Sequence, residues 1–179
     1  SFADPPRAAR PDPISSLLEG TYMDAESGKA VGISTRSLVV ADTLRGSEAA
    51  LIGELGFGRK LAVISDPTTR HVLGARVEAA LAGHFDLQSV VLGDNPADDD
   101  AVKAIREAAH AADAYIAVGS GTINDLAKYA SALDGKPYAV FATAPSMNGY
   151  TSLTASISQH GHKLTLPAQA PAGAFFDLA

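Results

Sequence analysis

Short apolar runs alternate along this chain with longer segments in which apolar residues recur every three or four positions. The runs are four to six residues long, too short for stable helices, and contain few polar residues. This pattern is typical of strands buried on both faces, whereas the longer segments have the period of helices packed on a sheet. The predicted strands are 38–41, 60–65, 87–92, 115–118 and 138–142, and the predicted helices between them are 45–55, 68–81, 101–112 and 123–133.

The alternation of strand and helix predicts the α/β class, with a doubly wound, Rossmann-like parallel sheet. After residue 142 the pattern changes to an irregular loop at 143–149. A small β-hairpin formed by 152–158 and 163–166 is predicted next, followed by one more strand at 174–177. We therefore expect one sheet with a hairpin appendage.

Composition narrows the class of protein. The first 13 of the 179 residues carry four prolines, so we expect a flexible tail and lead-in at 1–35, followed by one domain at 36–179. A net charge of −6 and the lack of a basic cluster argue against a nucleic-acid partner. No apolar run approaches the about 20 residues of a membrane helix, no signal peptide is recognisable, and cysteine is absent. A cytoplasmic protein without disulfides or membrane partners is expected.

The segment 114–129 connects this pattern to candidate chemistry. A buried strand ends at Val118, and Gly119 and Gly121 permit a sharp turn that a ligand can approach closely. Thr122 is the predicted N-cap of the helix that follows. Amide groups and the dipole at a helix start attract phosphate, so the turn is a candidate anion site. The alternative is a tight strand-to-helix turn that binds nothing, and two glycines alone do not separate these interpretations.

Asp66 directly follows the predicted strand 60–65. A carboxylate in this place usually holds the hydroxyl pair of a ribose. Asp66 can equally be the N-cap of the next helix, and the two roles are compatible. Because Asp66, residues 119–125 and Thr143 all follow predicted strands, we expect them at one edge of the sheet, where open α/β sheets bind ligands.

Two other clusters of polar residues predict no metal site. His160 and His162 lie two residues apart on the predicted hairpin turn, and Asp177 is the carboxylate closest to them in sequence. That set is too small for a zinc centre. The acidic run 98–100 is interpreted as the capped, charged start of a helix rather than a cation site.

Two motifs resemble a known enzyme family. Residues 119–128 read Gly-Ser-Gly-Thr-Ile-Asn-Asp-Leu-Ala-Lys, and residues 141–152 read Phe-Ala-Thr-Ala-Pro-Ser-Met-Asn-Gly-Tyr-Thr-Ser. Together they resemble the sn-glycerol-1-phosphate dehydrogenase family, which groups with the metal-dependent polyol dehydrogenases and dehydroquinate synthase. The resemblance covers about 36–178, which in the family is only the amino-terminal, nucleotide-binding half.

The resemblance implies that 36–179 is an NAD(P)-binding domain, with NAD or NADP as cofactor and a phosphorylated polyol as substrate. The implied cofactor-binding residues are Asp66, Gly119, Gly121, Thr122, Ile123, Asn124, Asp125, Thr143, Ala144, Pro145, Ser146 and Ser152. Asn148 replaces an aspartate of many relatives and is expected to orient substrate without acting as a base. An acid at Asp66 favours NAD over NADP, although Thr68, Thr69 and Arg70 are close enough in sequence to weaken that preference. Lys128 is a weaker candidate, because it could simply pair with Asp125 on the next helical turn.

The family reduces dihydroxyacetone phosphate to sn-glycerol 1-phosphate, and the reverse, and so belongs to phospholipid metabolism. Its divalent metal, usually Zn²⁺, is held by an aspartate and two histidines of a helical second half that would begin after Ala179. We therefore expect this chain to bind nucleotide weakly and not to turn over alone; homo-oligomers are compatible with the resemblance. The alternatives are a glycerol or other polyol dehydrogenase and a non-catalytic nucleotide-binding module. Dehydroquinate synthase matches Asn148 and the loop at Thr143 poorly.

Overall fold

The computed structural model describes residues 22–23, 30–31, 35–93, 97–142 and 150–178. Contacts divide the chain into two units, 1–33 and 34–179. In the first unit, strand β1 (Tyr22–Met23) pairs antiparallel with strand β2 (Ala30–Val31). All other described elements, and the candidate site, belong to the second unit.

The second unit is organised around one parallel sheet. Its strands in chain order, with the two strands of a separate hairpin, are β3 (Ser37–Ala41), β4 (Lys60–Ser65), β5 (Asp86–Val91), β6 (Ala114–Val118), β7 (Tyr138–Ala142), hairpin strands β8 (Thr154–Gln159) and β9 (His162–Pro167), and β10 (Gly173–Asp177). The order across the six-stranded sheet is β3-β10-β7-β6-β4-β5, and every neighbouring pair is parallel. The predicted doubly wound α/β fold is confirmed, and β4 and β7 have the predicted bounds.

Helices cover both faces of the sheet. They are α1 (Glu48–Gly53), α2 (Pro67–Thr69), α3 (Ala75–Leu81), α4 (Asp99–Ala108) and α5 (Gly121–Leu133). Alternate residues of β6 face opposite sides, so that Tyr115 and Ile116 belong to different apolar clusters. Ile105 of α4 and Leu126 of α5 pack with Tyr115, whereas Val77 of α3 packs with Ile116. The predicted helices 45–55 and 101–112 were too long, since α1 and α4 are shorter at their carboxyl ends.

The helix after β4 differs from its prediction. It begins at Pro67, because Asp66 is the N-cap, and not at residue 68. A π-helical turn (Arg70–Gly74) joins α2 to α3, so the predicted helix 68–81 is continuous but not regular. Apolar periodicity does not reveal such a turn, since Leu73, Val77 and Leu81 are all buried in either geometry.

The predicted hairpin is confirmed. Strands β8 and β9 pair antiparallel around His160 and Gly161, whose φ angles of 50° and 80° are typical of a tight turn. Ala155 and Ile157 are buried on the side of β8 that packs on α5. The chain then returns to the sheet as β10, between β3 and β7.

Candidate nucleotide-binding site

The glycine turn after β6 leads straight into α5. Gly119 has a φ of 134°, a conformation that a side chain strongly disfavours. The helix begins at Gly121 with Ser120 as its N-cap, and the hydroxyl of Ser120 makes no capping bond. The prediction of Thr122 as the N-cap was wrong, because Thr122 already lies in the first helical turn. The N–H of Asn124 donates to the carbonyl of Ser120 at 3.0 Å, so the amides before it are the first-turn donors that a helix leaves for an anion.

Neighbouring elements fix Gly119 on three sides. Its N–H donates to the carbonyl of Phe141 at 2.9 Å, and its carbonyl accepts from the hydroxyl of Tyr150 at 3.4 Å. A Cβ on Gly119 would lie 2.2 Å from Cγ2 of Thr69. The turn after β6 is therefore in van der Waals contact with the helix that follows β4.

Asp66 caps that helix. Its Oδ1 accepts from the N–H of Thr69 at 2.7 Å, and its own N–H donates to Oγ1 of Thr69 at 3.0 Å, a reciprocal capping box. The predicted N-cap role is confirmed. A carboxylate has about four acceptor positions, so one capping bond leaves capacity for a ribose hydroxyl.

A cavity of about 560 Å³ opens at the carboxyl edge of the sheet. Asp66, Ser120 and Thr122 line it together, as the sequence predicted for residues that follow strands. Asp98 and Asp100, at the start of α4, also line it. Asp98 is the N-cap of α4 and accepts from the N–H of Ala101 at 2.9 Å, which confirms the predicted capping role of the acidic run.

Two predicted cofactor residues turn their side chains into the core. Ile123 is 2% exposed and Asn124 is 1% exposed. Oδ1 of Asn124 accepts from the hydroxyl of Tyr138 at 3.0 Å. Any contact of these two residues with a cofactor would therefore pass through the main chain.

Lys128 is buried and is bonded to the segment before β8. Its Nζ donates to the carbonyl and the Oγ of Ser152, at 2.8 and 3.1 Å, and to the carbonyl of Thr154 at 3.2 Å. Burial lowers the pKa of Lys128 to about 8, and the negative charge of Asp125 partly opposes that shift. Sequence reasoning considered only Asp125 as a partner of Lys128, because Ser152 and Thr154 are distant in sequence.

Asp125 binds the same hairpin from the same helix. Burial raises the pKa of Asp125, while the charge of Lys128, a hydrogen bond from the N–H of Ser156 and the charge of Lys163 oppose the shift. Together, Asp125 and Lys128 attach β8 to α5. Ser152, a predicted cofactor contact, is held at this attachment with its hydroxyl against the ammonium of Lys128.

Several predicted site residues lie outside the described part of the chain, namely Thr143, Ala144, Pro145, Ser146 and Asn148. His160 and His162, the two histidines considered as metal ligands, are both exposed at the hairpin turn. Among the described residues, no three His, Asp or Glu side chains are grouped so that they could hold a metal ion. Of the described helices, none is both long and apolar enough to cross a membrane.

Sequence reasoning missed a buried ion cluster at the carboxyl end of β10. Asp177 is 2% exposed, pairs with the guanidinium of Arg76 and accepts from the N–H of Leu44 at 3.1 Å. Glu48, 1% exposed, places Oε2 at 3.9 Å from Nε of Arg76. The three charged residues come from three separate elements, so no local motif could have predicted the cluster.

Comparisons with known proteins agree with this fold. Residues 39–179 match the family model described as iron-containing alcohol dehydrogenase. Glycerol-1-phosphate dehydrogenase [NAD(P)+] of Halalkalibacterium halodurans is 36% identical over 123 residues, which is 65% of this chain and 31% of that protein. The same enzyme of Thermococcus kodakarensis is 28% identical over 144 residues, 80% of this chain and 41% of that protein. The aligned part of this chain thus spans 31% and 41% of the length of these two relatives.

Solved structures share the fold at lower identity. Glycerol dehydrogenase from Schizosaccharomyces pombe has a TM-score of 0.68 at 17% identity, covering 80% of this chain and 37% of its own. The 2-epi-5-epi-valiolone synthase from Streptomyces hygroscopicus, solved with NAD+ and Zn2+ bound, has a TM-score of 0.65 at 20% identity. The match covers 79% of this chain and 42% of the synthase chain. At these identities the likeness concerns the fold alone.

Proposed function

The chain belongs to the iron-containing alcohol dehydrogenase family, and we propose that residues 36–179 are the nucleotide-binding part of an NAD(P)-dependent dehydrogenase. The proposed reaction interconverts dihydroxyacetone phosphate and sn-glycerol 1-phosphate. Relatives named glycerol-1-phosphate dehydrogenase [NAD(P)+], 28 to 36% identical, support this choice among the alcohol dehydrogenases.

The observation that carries the proposal is that the glycine turn and Asp66 line one cavity at the carboxyl edge of the sheet. Strands β4 and β6 are parallel neighbours, so the residues that follow them are adjacent. In open α/β sheets a dinucleotide binds in this place, with its diphosphate at a helix start and its adenosine ribose on an acid of the neighbouring strand.

Each described residue then has a defined task. The amides of Gly121, Thr122 and Ile123 would donate to the diphosphate. Asp66 would accept from the ribose hydroxyls, and Ser152 would add a hydroxyl contact from the hairpin side. The nicotinamide, when bound, supplies the hydride chemistry.

The residues expected at the nicotinamide and the substrate lie at 143–148. We keep them as proposed contacts: Thr143, Ala144, Pro145 and Ser146 for the nicotinamide, and Asn148 for substrate. In the family that the two motifs resemble, the metal ligands lie in the second half of the chain, so we propose that a divalent metal would be held by residues of such a second half rather than by 36–179. The chain by itself would then bind nucleotide without turning over substrate.

The test is a titration of the 18.3 kDa chain with NADH, followed by ¹H–¹⁵N NMR. Amide signals of 119–123 and of the residues around Asp66 are expected to shift. Asp66→Asn should weaken NADH binding about tenfold, since it removes the charge from hydrogen bonds with the ribose.

Asp113→Asn is the matched control. Asp113 accepts from the N–H groups of Arg59 and Lys60, at 3.1 and 3.0 Å, at the opposite end of β4. It should leave NADH affinity unchanged. Shifts confined to a surface away from Asp66 would contradict the nucleotide site, and metal-dependent reduction of dihydroxyacetone phosphate by this chain alone would contradict the proposed location of the metal ligands.

A further inference from the structure

Arg70 is the first basic residue after Asp66, and two partners hold it. It lies at the start of the π-helical turn, four residues after Asp66. Its Nη1 is 2.8 Å from Oε2 of Glu78 and donates to Oγ of Ser89 at 2.6 Å. Ser89 belongs to β5, the edge strand beside β4, so the guanidinium lies against the sheet edge.

The cavity itself has an acidic lining. Asp66, Asp98 and Asp100 line it, and the described lining residues include no lysine or arginine. A 2′-phosphate on the adenosine ribose would place close to two negative charges beside Asp66, where NADP-binding sites usually supply an arginine. The N–H of Arg70 donates to the carbonyl of Asp66 at 2.8 Å, so the two residues are one helical turn apart and the long side chain of Arg70 can extend toward a ribose held by Asp66.

The ion pair with Arg70 is important for Glu78, which is mostly buried. Its side chain is 15% exposed, and its Oε1 is buried without a hydrogen-bond partner among the described residues. A carboxylate that has lost most of its water needs a cation, so release of Arg70 would leave Glu78 uncompensated. The guanidinium is therefore held by a charge as well as by the hydroxyl of Ser89.

We propose that Glu78 is a positioning residue for cofactor specificity: it holds Arg70 against β5, away from the ribose, so that the site selects NAD(H) over NADP(H). This inference rests on the proposed nucleotide site at Asp66. Arg70 could then bind a 2′-phosphate only after release from Glu78, and neutralising Glu78 should allow that release.

The test compares dissociation constants of NADH and NADPH, measured by calorimetry at low ionic strength, for the whole chain and its variants. Wild type should bind NADH at least about tenfold more tightly than NADPH. Glu78→Gln should strengthen NADPH binding roughly tenfold with little change for NADH, because one charge-assisted bond to phosphate becomes available. Adding Arg70→Met to Glu78→Gln should reverse that gain.

Glu107→Gln is the matched control, since it breaks the exposed Lys103–Glu107 pair and removes the same charge. It should leave the NADPH-to-NADH ratio unchanged. Ser89→Ala, which removes no charge, should shift the ratio in the same direction by a smaller factor and serves if Glu78→Gln does not fold.

Two results would overturn the inference while leaving the proposed function intact. The first is an unchanged ratio in Glu78→Gln and Ser89→Ala with normal NADH binding. The second is a loss of NADPH affinity in Arg70→Met alone, which would show that Arg70 already reaches the phosphate. Failure of wild type to bind NADH at all would instead remove the nucleotide site and this inference with it.

Discussion

Asp66 and Asp177 have nearly the same position in the fold and opposite surroundings. Asp66 comes directly after β4, and Asp177 is the last residue of β10, so both lie at the carboxyl edge of the sheet. Asp66 is half-buried, makes one capping bond and lines the cavity. Asp177 is buried, pairs with Arg76 and also accepts from the N–H of Leu44.

The difference shows that position along a strand does not decide what an aspartate does. Asp177 forms an ion pair with Arg76 of α3 and so stabilises the fold, whereas the partner of Asp66 is the neutral N–H of Thr69. A carboxylate that neutral groups satisfy keeps its charge available for a ligand.

The largest effect is expected from Asp177→Asn. Asp177 is the closer of the two carboxylates that pair with Arg76, since Oε2 of Glu48 is 3.9 Å from Nε and makes no hydrogen bond with it, so loss of the Asp177 charge leaves the guanidinium with only this longer ion pair. The free energy of unfolding should fall by about 3 kcal/mol, as for other broken buried pairs. Asp66→Asn should cost less than about 1 kcal/mol, because asparagine is also a good N-cap. Urea denaturation of both variants measures the contrast, and equal losses would refute it.

The second effect concerns the contact between the glycine turn and the cap at Asp66. Gly119→Ala introduces a Cβ that meets Thr69 and strains a backbone with a φ of 134°. It should destabilise the chain by about 2 kcal/mol and weaken NADH binding, because Thr69 must leave the capping box.

Gly135→Ala is the control for backbone strain alone. Gly135 has a φ of 64°, but a Cβ there would meet nothing within 4 Å. It should destabilise the chain by about 1 kcal/mol and leave NADH affinity unchanged. If both variants bound NADH as wild type does, the contact at Thr69 would have no role in the site.

The smallest effect extends the contrast to Lys128, a buried cation near the expected cofactor. Its pKa falls from 10.5 when unfolded to about 8 when folded, so between those values the unfolded chain binds more protons. Stability must therefore rise with pH in that window. Relative to Lys128→Met, wild type should gain about 1 kcal/mol in free energy of unfolding between pH 7.5 and 9.

The comparison should stop at pH 9 because of nearby tyrosines. Burial, followed by the charge of Asp125, raises the pKa of both Tyr138 and Tyr150, so these groups remain protonated in the folded chain after they ionise in the unfolded one. That difference lowers stability with rising pH and would mask the effect. Parallel pH profiles for wild type and Lys128→Met below pH 9 would show that Lys128 keeps an ordinary pKa.

How far the sequence predicts the structure depends on the range of the interaction. The runs at 60–65 and 138–142 predicted two strands to the residue, because a buried parallel strand needs apolar side chains on both faces. The cap at Asp66 was also predictable, since it involves only the next three residues. The choice of Ser120 over Thr122 was not, because both are good caps and the conformation of Gly119 decides between them.

Charged partners that come from distant elements could not be predicted. The bond between Arg76 and Asp177 spans 101 positions, and Lys128 finds its acceptors 24 and 26 positions away. A sequence shows which residues carry charge but not which of them the topology brings together. For this reason the glycine turn was recognised as a candidate site, while the ion pair between Glu78 and Arg70 became visible only from the fold.

The π-helical turn has a consequence for how this chain tolerates changes in length. One such turn accommodates an extra residue without rotating the helical segments on either side of it. A chain one residue shorter between Arg70 and Gly74 could close the turn as ordinary α-helix and still direct Arg76 toward Asp177. Single-residue deletions are usually tolerated in loops, but here the π-helical turn should let a helix packed on the core tolerate a deletion of one residue.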